Sequence, residues 1–346
     1  MSYVAHIPRP ATIPAQARER LRILYMAKHA SGDGSPDAVD GNHAVYHHEL
    51  RTTLESIGLN VTTAQRFEAI ERRPDVDFVL PLLNRGGFQN SEMLGPLLLT
   101  KHGLPFLGAS PILRGLADDK HLMKCFARAR GVPTVEWAVF RRAAGPATEP
   151  NFAWDRLVVK PNASSASWGI GVFETWGEAR EHIADLNRQG HDVIVEPWTP
   201  LIDVAVPVIG GDSPHPWLLP AMAYQPEDPQ HLRSYEEKRA LIATEDDPLV
   251  PVTDPQLTAR LDRHTRELAA DLWPFDYGRF EYRYDPASDA LHFMEVNLSC
   301  NLWSKKTISR SAATIGIDHA TLVESIVAHS LARQGLLLPY SARAVA

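Results

Sequence analysis

The chain has 346 residues, a formal net charge of −7 and a pI near 6.1, with 44% hydrophobic and 22% charged residues. That length exceeds one ordinary domain and suits two or three, and the acidic balance removes the electrostatic basis for nucleic acid or an anionic membrane as main partner. Cys125 and Cys300 have neither CxxC nor Cys/His spacing, which argues against a disulfide scaffold or a zinc site. Met1 to Arg20 is rich in Pro and Ala without the apolar run of a signal peptide, and no later segment is long and apolar enough to span a bilayer, so the expected location is cytosolic.

In chain order, an extension over 1–20 precedes the apolar run Leu21 to Ala27. An amphipathic stretch from about His43 to Ile57 predicts a helix ending at Gly58, and VDFVLPLL over 76–83 predicts a buried strand. Ser91 to His102 reads as a helix capped by Ser91 and stopped by Gly103, and Pro105 to Leu107 as a short strand. This alternation predicts a doubly wound α/β domain with a parallel sheet over 21–115. A helix from about Asp118 to Arg130 opens a second domain over 116–198, whose clearest strands are Leu157 to Lys160 and Asp192 to Glu196. The third, over 199–335, combines strands at Val204 to Ile209, Trp217 to Ala223, Tyr277 to Tyr284 and Leu291 to Asn297 with helices at Pro255 to Leu272 and Asp318 to Arg333. A tail over 336–346 is expected to be disordered. The predicted class is α/β, in part α+β.

The most informative stretch is FMEVN over 293–297, with RFE over 279–281 on the expected neighbouring strand. Glu281, Glu295 and Asn297 offer the all-oxygen set that Mg²⁺ prefers, since residues two apart on a strand face the same side. Arg279 beside them either accompanies a metal cluster or simply neutralises a carboxylate at the sheet surface. The metal reading is favoured, because the carboxylates otherwise repel.

Lys160 closes an apolar strand and precedes PNASSASWG over 161–169, where Ser164, Ser165 and Ser167 are small enough to let backbone N–H groups approach phosphate oxygens. A flexible surface loop is the equal alternative, since the run is neither GxxxxGK[ST] nor GxGxxG. Glu196-Pro197-Trp198 ends another strand, where backbone groups and the Glu196 carboxylate can meet an adenine edge or ribose, and Asp203 follows for ribose hydroxyls. An isolated acid at a strand end is more often solvated. Lys238 in YEEKR over 235–239 and Lys120 in DDK over 118–120 also have bland alternatives, a solvated charge run and a first-turn helix residue.

Taken in order, FLGASP (106–111), ADDK (117–120), VVKP (158–161), VEPW (195–198), YEEK (235–238), GRFEY (278–282) and MEVNLS (294–299) make the chain resemble the ATP-grasp superfamily, within it the D-alanine:D-alanine ligase branch, over roughly 21–332. The resemblance implies three domains, with ATP between the central and C-terminal ones. It implies Lys120 and Lys160 on phosphates, Glu196, Pro197, Trp198 and Asp203 around adenosine, and Lys238 on the phosphate chain. It further implies two Mg²⁺ ions, or Mn²⁺ in their place, on Glu281, Glu295 and Asn297, with Arg279 at the acyl centre. The implied reaction makes an acyl phosphate that an amine attacks, giving an amide, ADP and phosphate, and the implied assembly is a homodimer.

Departures from the family pattern fall on the substrate side. The family's histidine-glycine and glutamate-aspartate-glycine signature is replaced by NRGGFQNSE over 84–92, and the amino-group-binding glutamate near the first strand has no equivalent in MAKHASGD over 26–33. The segment after Asn297 reads Ser299-Cys300-Asn301-Leu302-Trp303-Ser304-Lys305-Lys306 instead of serine-proline-glycine. Ser299, Asn301, Trp303, Lys305 and Lys306 are therefore candidate substrate contacts, with Trp303 against a larger side chain and the lysines on an acidic group. A lysine pair on a solvated helix start is the alternative. Cys300, without an acid/base partner, is expected to be a wall residue. The leading expectation is an ATP-dependent carboxylate-amine ligase acting on small-molecule carboxylates and amines in specialised metabolism. A non-catalytic ATP-binding regulator and a true D-alanine:D-alanine ligase stand as alternatives, and a bicarbonate-using ATP-grasp carboxylase is disfavoured for want of the extra domains. A mobile lid over 134–196 is expected to close over ATP.

Overall fold

The computed structural model describes residues 10–83, 91–164, 167–198, 201–211, 215–225 and 249–337. Lys238, Ser165 and most of the 84–92 segment lie outside them.

The first section runs α1 (Ala15–Arg20), β1 (Arg22–Met26), α2 (His43–Ser56), β2 (Asn60–Ala64), β3 (Phe78–Pro81) and α3 (Leu94–Lys101). The strands form a parallel sheet in the order β2-β1-β3, with β1 central and buried from Ile23 to Met26. That is the pattern of a strand covered on both faces. Residues 105–107 contribute only a parallel bridge, Phe106 to Val79, where a strand was predicted, since Pro105 has no N–H to extend the ladder. The N-cap position of α3 falls on Met93, not on Ser91. Ser91–Met93 is a 3-10 turn and α3 begins at Leu94, because Pro96 is tolerated only in a first turn, where its missing N–H leaves no bond unmade.

The central section brings α4 (Pro111–Asp118), α5 (Lys120–Ala129), β4 (Ala138–Phe140), β5 (Leu157–Pro161), β6 (Gly171–Phe173), α6 (Trp176–Arg188) and β7 (Val193–Pro197). The expected helix from about Asp118 to Arg130 is α5, and α4 precedes it where no helix was expected. Ser110 accepts from Leu113 N–H to cap α4 with Pro111 at its first position, and Asp119, extended at ψ 101°, accepts from Leu122 N–H to cap α5. The strands make an antiparallel sheet β4-β7-β5-β6, against which α6 buries Ala179, Ile183 and Leu186.

The last section comprises β8 (Ile202–Ile209), β9 (Trp217–Leu218), β10 (Met222–Tyr224), β11 (Leu249–Pro251), α7 (Pro255–Leu272), β12 (Tyr277–Asp285), β13 (Ala290–Asn297), α8 (Thr307–Thr314) and α9 (His319–Arg333). Its sheet has the order β11-β10-β8-β12-β13, with β9 beside β8. The single strand predicted over 217–223 is broken at Leu219-Pro220 into β9 and β10. Cores do not follow chain order. Tyr46, Leu50 and Leu54 of α2 share one apolar cluster with Leu302, Trp303 and the α9 face Leu322, Val323, Ile326 and Leu331. Gly210 N–H donates to the Asp276 carbonyl at 2.8 Å, and a Cβ there would stand 1.7 Å from the Phe275 carbonyl oxygen. Gly210→Ala is therefore expected to cost about 2–3 kcal/mol, read as a lower urea midpoint.

Among the described residues, no helix is long and apolar enough to cross a membrane.

Candidate active site

A cleft of about 430 Å³ separates the central sheet from the last one. Its floor is set by strand register. Glu281 pairs directly across β12/β13 with Glu295, and Arg279 with Asn297, so the four form one block facing the cleft. A bulge follows: Tyr282 pairs with Phe293, leaving Met294 as the extra residue. It turns Phe293 into the core, its ring 5.6 Å from that of Tyr282, while Glu295 and Asn297 keep the cleft face.

Each carboxylate of the pair has its own cation. Arg279 Nε and Nη2 donate to Glu281 Oε1 at 2.9 and 2.5 Å, and Lys120 Nζ lies 3.2 Å from Glu295 Oε2. Burial pushes the Glu295 pKa up, but Lys120 and Lys160 outweigh it and hold the carboxyl below its ordinary value. Asn297 Oδ1 accepts from Ser299 N–H at 2.9 Å and has a second lone pair left. Two adjacent carboxylates and an amide oxygen fit a hard divalent cation.

Lys120, buried at the start of α5, donates to the Ser164 carbonyl at 2.9 Å. Its N–H donates to the Asn162 carbonyl and the next N–H to Asn162 Oδ1, so the 162–164 segment is fastened to α5. Ser164 and Ser167 line the cleft, Ser167 in the left-handed region at φ 61°. Lys160 and Glu196 are diagonal neighbours across β5/β7, with Lys160 Nζ donating to Glu196 Oε2 at 2.7 Å.

Glu196 also lines the cleft, though it is only 2% exposed. It is held between Lys160 and Lys124, whose Nζ makes a 2.9 Å ion pair with Oε1. Burial alone would raise its pKa, yet Lys124 and then Lys160 bring it down to about 2. Pro197 and Trp198 line the same wall, with Arg156 stacked 3.5 Å over the Trp198 ring. Asp203 lines the cleft too and accepts from Arg283 Nε at 2.8 Å.

Of the substrate candidates, Ser299, Asn301 and Lys306 line the cleft and Trp303 and Lys305 do not. Trp303 is turned into the core, 6% exposed, because Glu49 of α2 accepts from its indole N–H at 2.9 Å, and Lys305 sits 5.5 Å from its ring. Cys300 is no wall residue: it is 1% exposed and its thiol is pushed up to about 12 by burial. Native protein is therefore expected to be alkylated by iodoacetamide once, at exposed Cys125, with Cys300 reacting only after unfolding.

The sequence reading missed three groups. Glu92 and Arg114 line the cleft as an ion pair at 3.3 Å, with Ser299 Oγ donating to Glu92 at 3.2 Å. Lys124 is the third. Its signal lay in α5, whose buried face 120, 123, 124 and 127 places two lysines at apolar positions.

With this geometry established, likeness to known proteins is informative. The family model described as "D-ala D-ala ligase C-terminus" matches residues 126–328. The D-alanine–D-alanine ligase of Desulfovibrio desulfuricans is 28% identical over 251 residues, covering 72% of this chain and 79% of that protein. The enzyme of the same name from Marinomonas sp. is 26% identical over 270 residues, covering 78% and 82%. The crystal structure of D-alanine–D-alanine ligase from Bacillus anthracis complexed with ATP has the same fold, at a TM-score of 0.69 and 19% identity, covering 91% of this chain and 99% of that one. The chain therefore belongs to the D-ala D-ala ligase C-terminus family, of ATP-grasp fold, and with it to the ATP-dependent, ADP-forming carbon–nitrogen ligases.

Proposed function

We propose that this chain activates the carboxylate of an amino acid or similar small molecule as an acyl phosphate and joins it to an amine, forming an amide or dipeptide. The observation that carries the reading is the cross-strand carboxylate pair Glu281/Glu295 with Asn297, facing Lys120 and Lys160 across one cleft. ATP and Mg²⁺, or Mn²⁺ in its place, supply when bound the phosphoryl group and the charge neutralisation its transfer needs.

In this reading Glu281, Glu295 and Asn297 hold the metal, as the donor set favours. Lys120 and Lys160 bind phosphate oxygens, with Lys238 proposed on the same chain of phosphates. Pro197, Trp198 and Asp203 border adenosine. Arg279, already fixed by Glu281, offers its remaining N–H groups to the oxyanion that forms when the amine attacks the acyl carbon, before phosphate departs and the amine loses a proton. Ser164, on the segment fastened to α5, and Ser167 help to exclude water from the activated acyl group.

Substrate choice falls to Ser299, Asn301 and Lys306, and the altered segments over 84–92 and 299–306 favour a role in specialised metabolism over the joining of two D-alanines. The proposed division into units over 21–115, 116–198 and 199–335, a homodimer and a cytosolic location complete the reading.

The test is ADP release with Mg²⁺ and ATP against pairs of D- and L-amino acids and small amines, with product masses recorded. A product equal to both substrates minus water, formed only with ATP, is the expected result. ATP binding without ADP or a condensed mass in any pair would overturn it.

A further inference from the structure

Lys124 is 0% exposed and does not line the cleft, yet it lies directly behind the groups that do. Its ammonium pairs with Glu196 Oε1 at 2.9 Å and donates to Thr134 Oγ1 at 2.9 Å, and the Trp137 ring centroid is 5.5 Å away. Thr134 Oγ1 in turn donates to the Phe293 carbonyl at 2.8 Å, immediately before the bulge that sets Glu295. Lys124 is therefore anchored and cannot swing into the cleft as a ligand group. Its electrostatic neighbours are Glu196, Lys160 and Glu295, with His292 also feeling its charge.

Around this end of the cleft the ammonium groups of Lys120, Lys124 and Lys160 face the carboxylates of Glu295 and Glu196. Three cations against two anions leave one positive charge. Without Lys124 the balance is zero: Lys120 answers Glu295, and Lys160 is spent on Glu196. A polyanion would then meet two closed ion pairs.

We propose that Lys124 is a positioning residue of the phosphate-binding end: it neutralises Glu196 from behind, so that the Lys160 ammonium, held by the other carboxylate oxygen, keeps its positive charge for phosphate oxygens. This inference rests on the nucleotide reading above. The location explains why burying a lysine is tolerated, since the ion pair offsets much of the desolvation that an isolated ammonium would suffer. It also explains a carboxylate inside a site for anions. Glu196 fixes the direction of Lys160, and Lys124 cancels the charge that this fixing introduces.

The test is calorimetric titration of the full chain with inorganic tripolyphosphate, which has no adenine to contact Glu196, at low and high salt. Lys124→Met is expected to weaken binding by about tenfold at low salt, the equivalent of one charge interaction, and by less at high salt. Lys124→Arg retains affinity. Glu196→Gln binds more tightly than wild type, and the double variant K124M/E196Q returns to near the wild-type value.

The double variant removes both the Lys124 ammonium and the Glu196 charge, so its affinity decides the matter even if K124M, or E196Q with its stranded Lys124 ammonium, does not fold. Wild-type affinity in K124M, or an E196Q variant no tighter than wild type, would overturn the inference, as would a double variant as weak as K124M. Parallel titration with Mg·ATP separates the two readings. Wild-type protein that takes up tripolyphosphate but no Mg·ATP refutes the nucleotide reading and leaves the charge relation standing. Binding of both, unchanged in K124M and E196Q, refutes only the charge relation.

Discussion

Glu295→Gln is expected to lower ADP-forming turnover by about 10³-fold, the scale seen when one preorganised charge-stabilising group is removed from an active site, while leaving the protein folded. Glu295 sits cross-strand from Glu281 and is paired at 3.2 Å with Lys120 at the start of α5. Glutamine keeps the shape and one oxygen donor but removes the charge that a divalent cation needs. The loss should thus be accompanied by a higher Mg²⁺ requirement, with the urea midpoint near that of wild type. Unchanged turnover with any substrate pair that the wild type condenses would remove Glu295 from the site.

The sequence carried this block because its information is local. Residues two apart on two adjacent strands share a face whatever the rest of the fold does, so FMEVN and RFE could be read together before any contact was known. Helix α7 was legible for the same reason: Asp254 caps it, accepting from Gln256 and Leu257 N–H, and Pro255 takes the first position. Helix α4 carries an equivalent signature in Ser110-Pro111, which the sequence reading did not use.

Other features depend on partners distant in the chain. Trp303 reads as a free aromatic in its own segment, and only Glu49, 254 residues earlier, takes its N–H and turns it inward. Glu92 acquires a role in the cleft wall through Arg114 and Ser299, 22 and 207 residues away. Lys124 was hidden by habit, since lysines on helices are usually solvated. Its counter-ion comes from β7 and its second partner from the segment before β4, neither of which periodicity can bring to α5.

The largest effect on stability is expected at Asp276, away from the cleft. Its carboxylate is fully buried and accepts three hydrogen bonds, from Gly108 N–H and Ser330 Oγ on Oδ2, both at 2.7 Å, and from Arg333 Nε on Oδ1 at 2.9 Å, with Arg333 Nη2 in ion-pair contact with Oδ1 at 2.9 Å. These donors come from the chain just after the Phe106 bridge and from α9, so Asp276 ties the parallel sheet, α9 and the start of β12 together at one point. Burial raises its pKa against the opposing pull of Arg333.

Asp276→Ala strands the Arg333 guanidinium and the Gly108 N–H inside the protein, and removing one partner of such a pair costs about 3–5 kcal/mol. Asp276→Asn keeps the volume but presents an amide N–H₂ toward donors on at least one side, so it recovers only part of that loss. Urea unfolding followed by far-ultraviolet circular dichroism should therefore rank wild type above D276N and D276N above D276A. A midpoint for D276A within error of wild type would mean that the tie between the sheet, β12 and α9 is held by apolar packing alone.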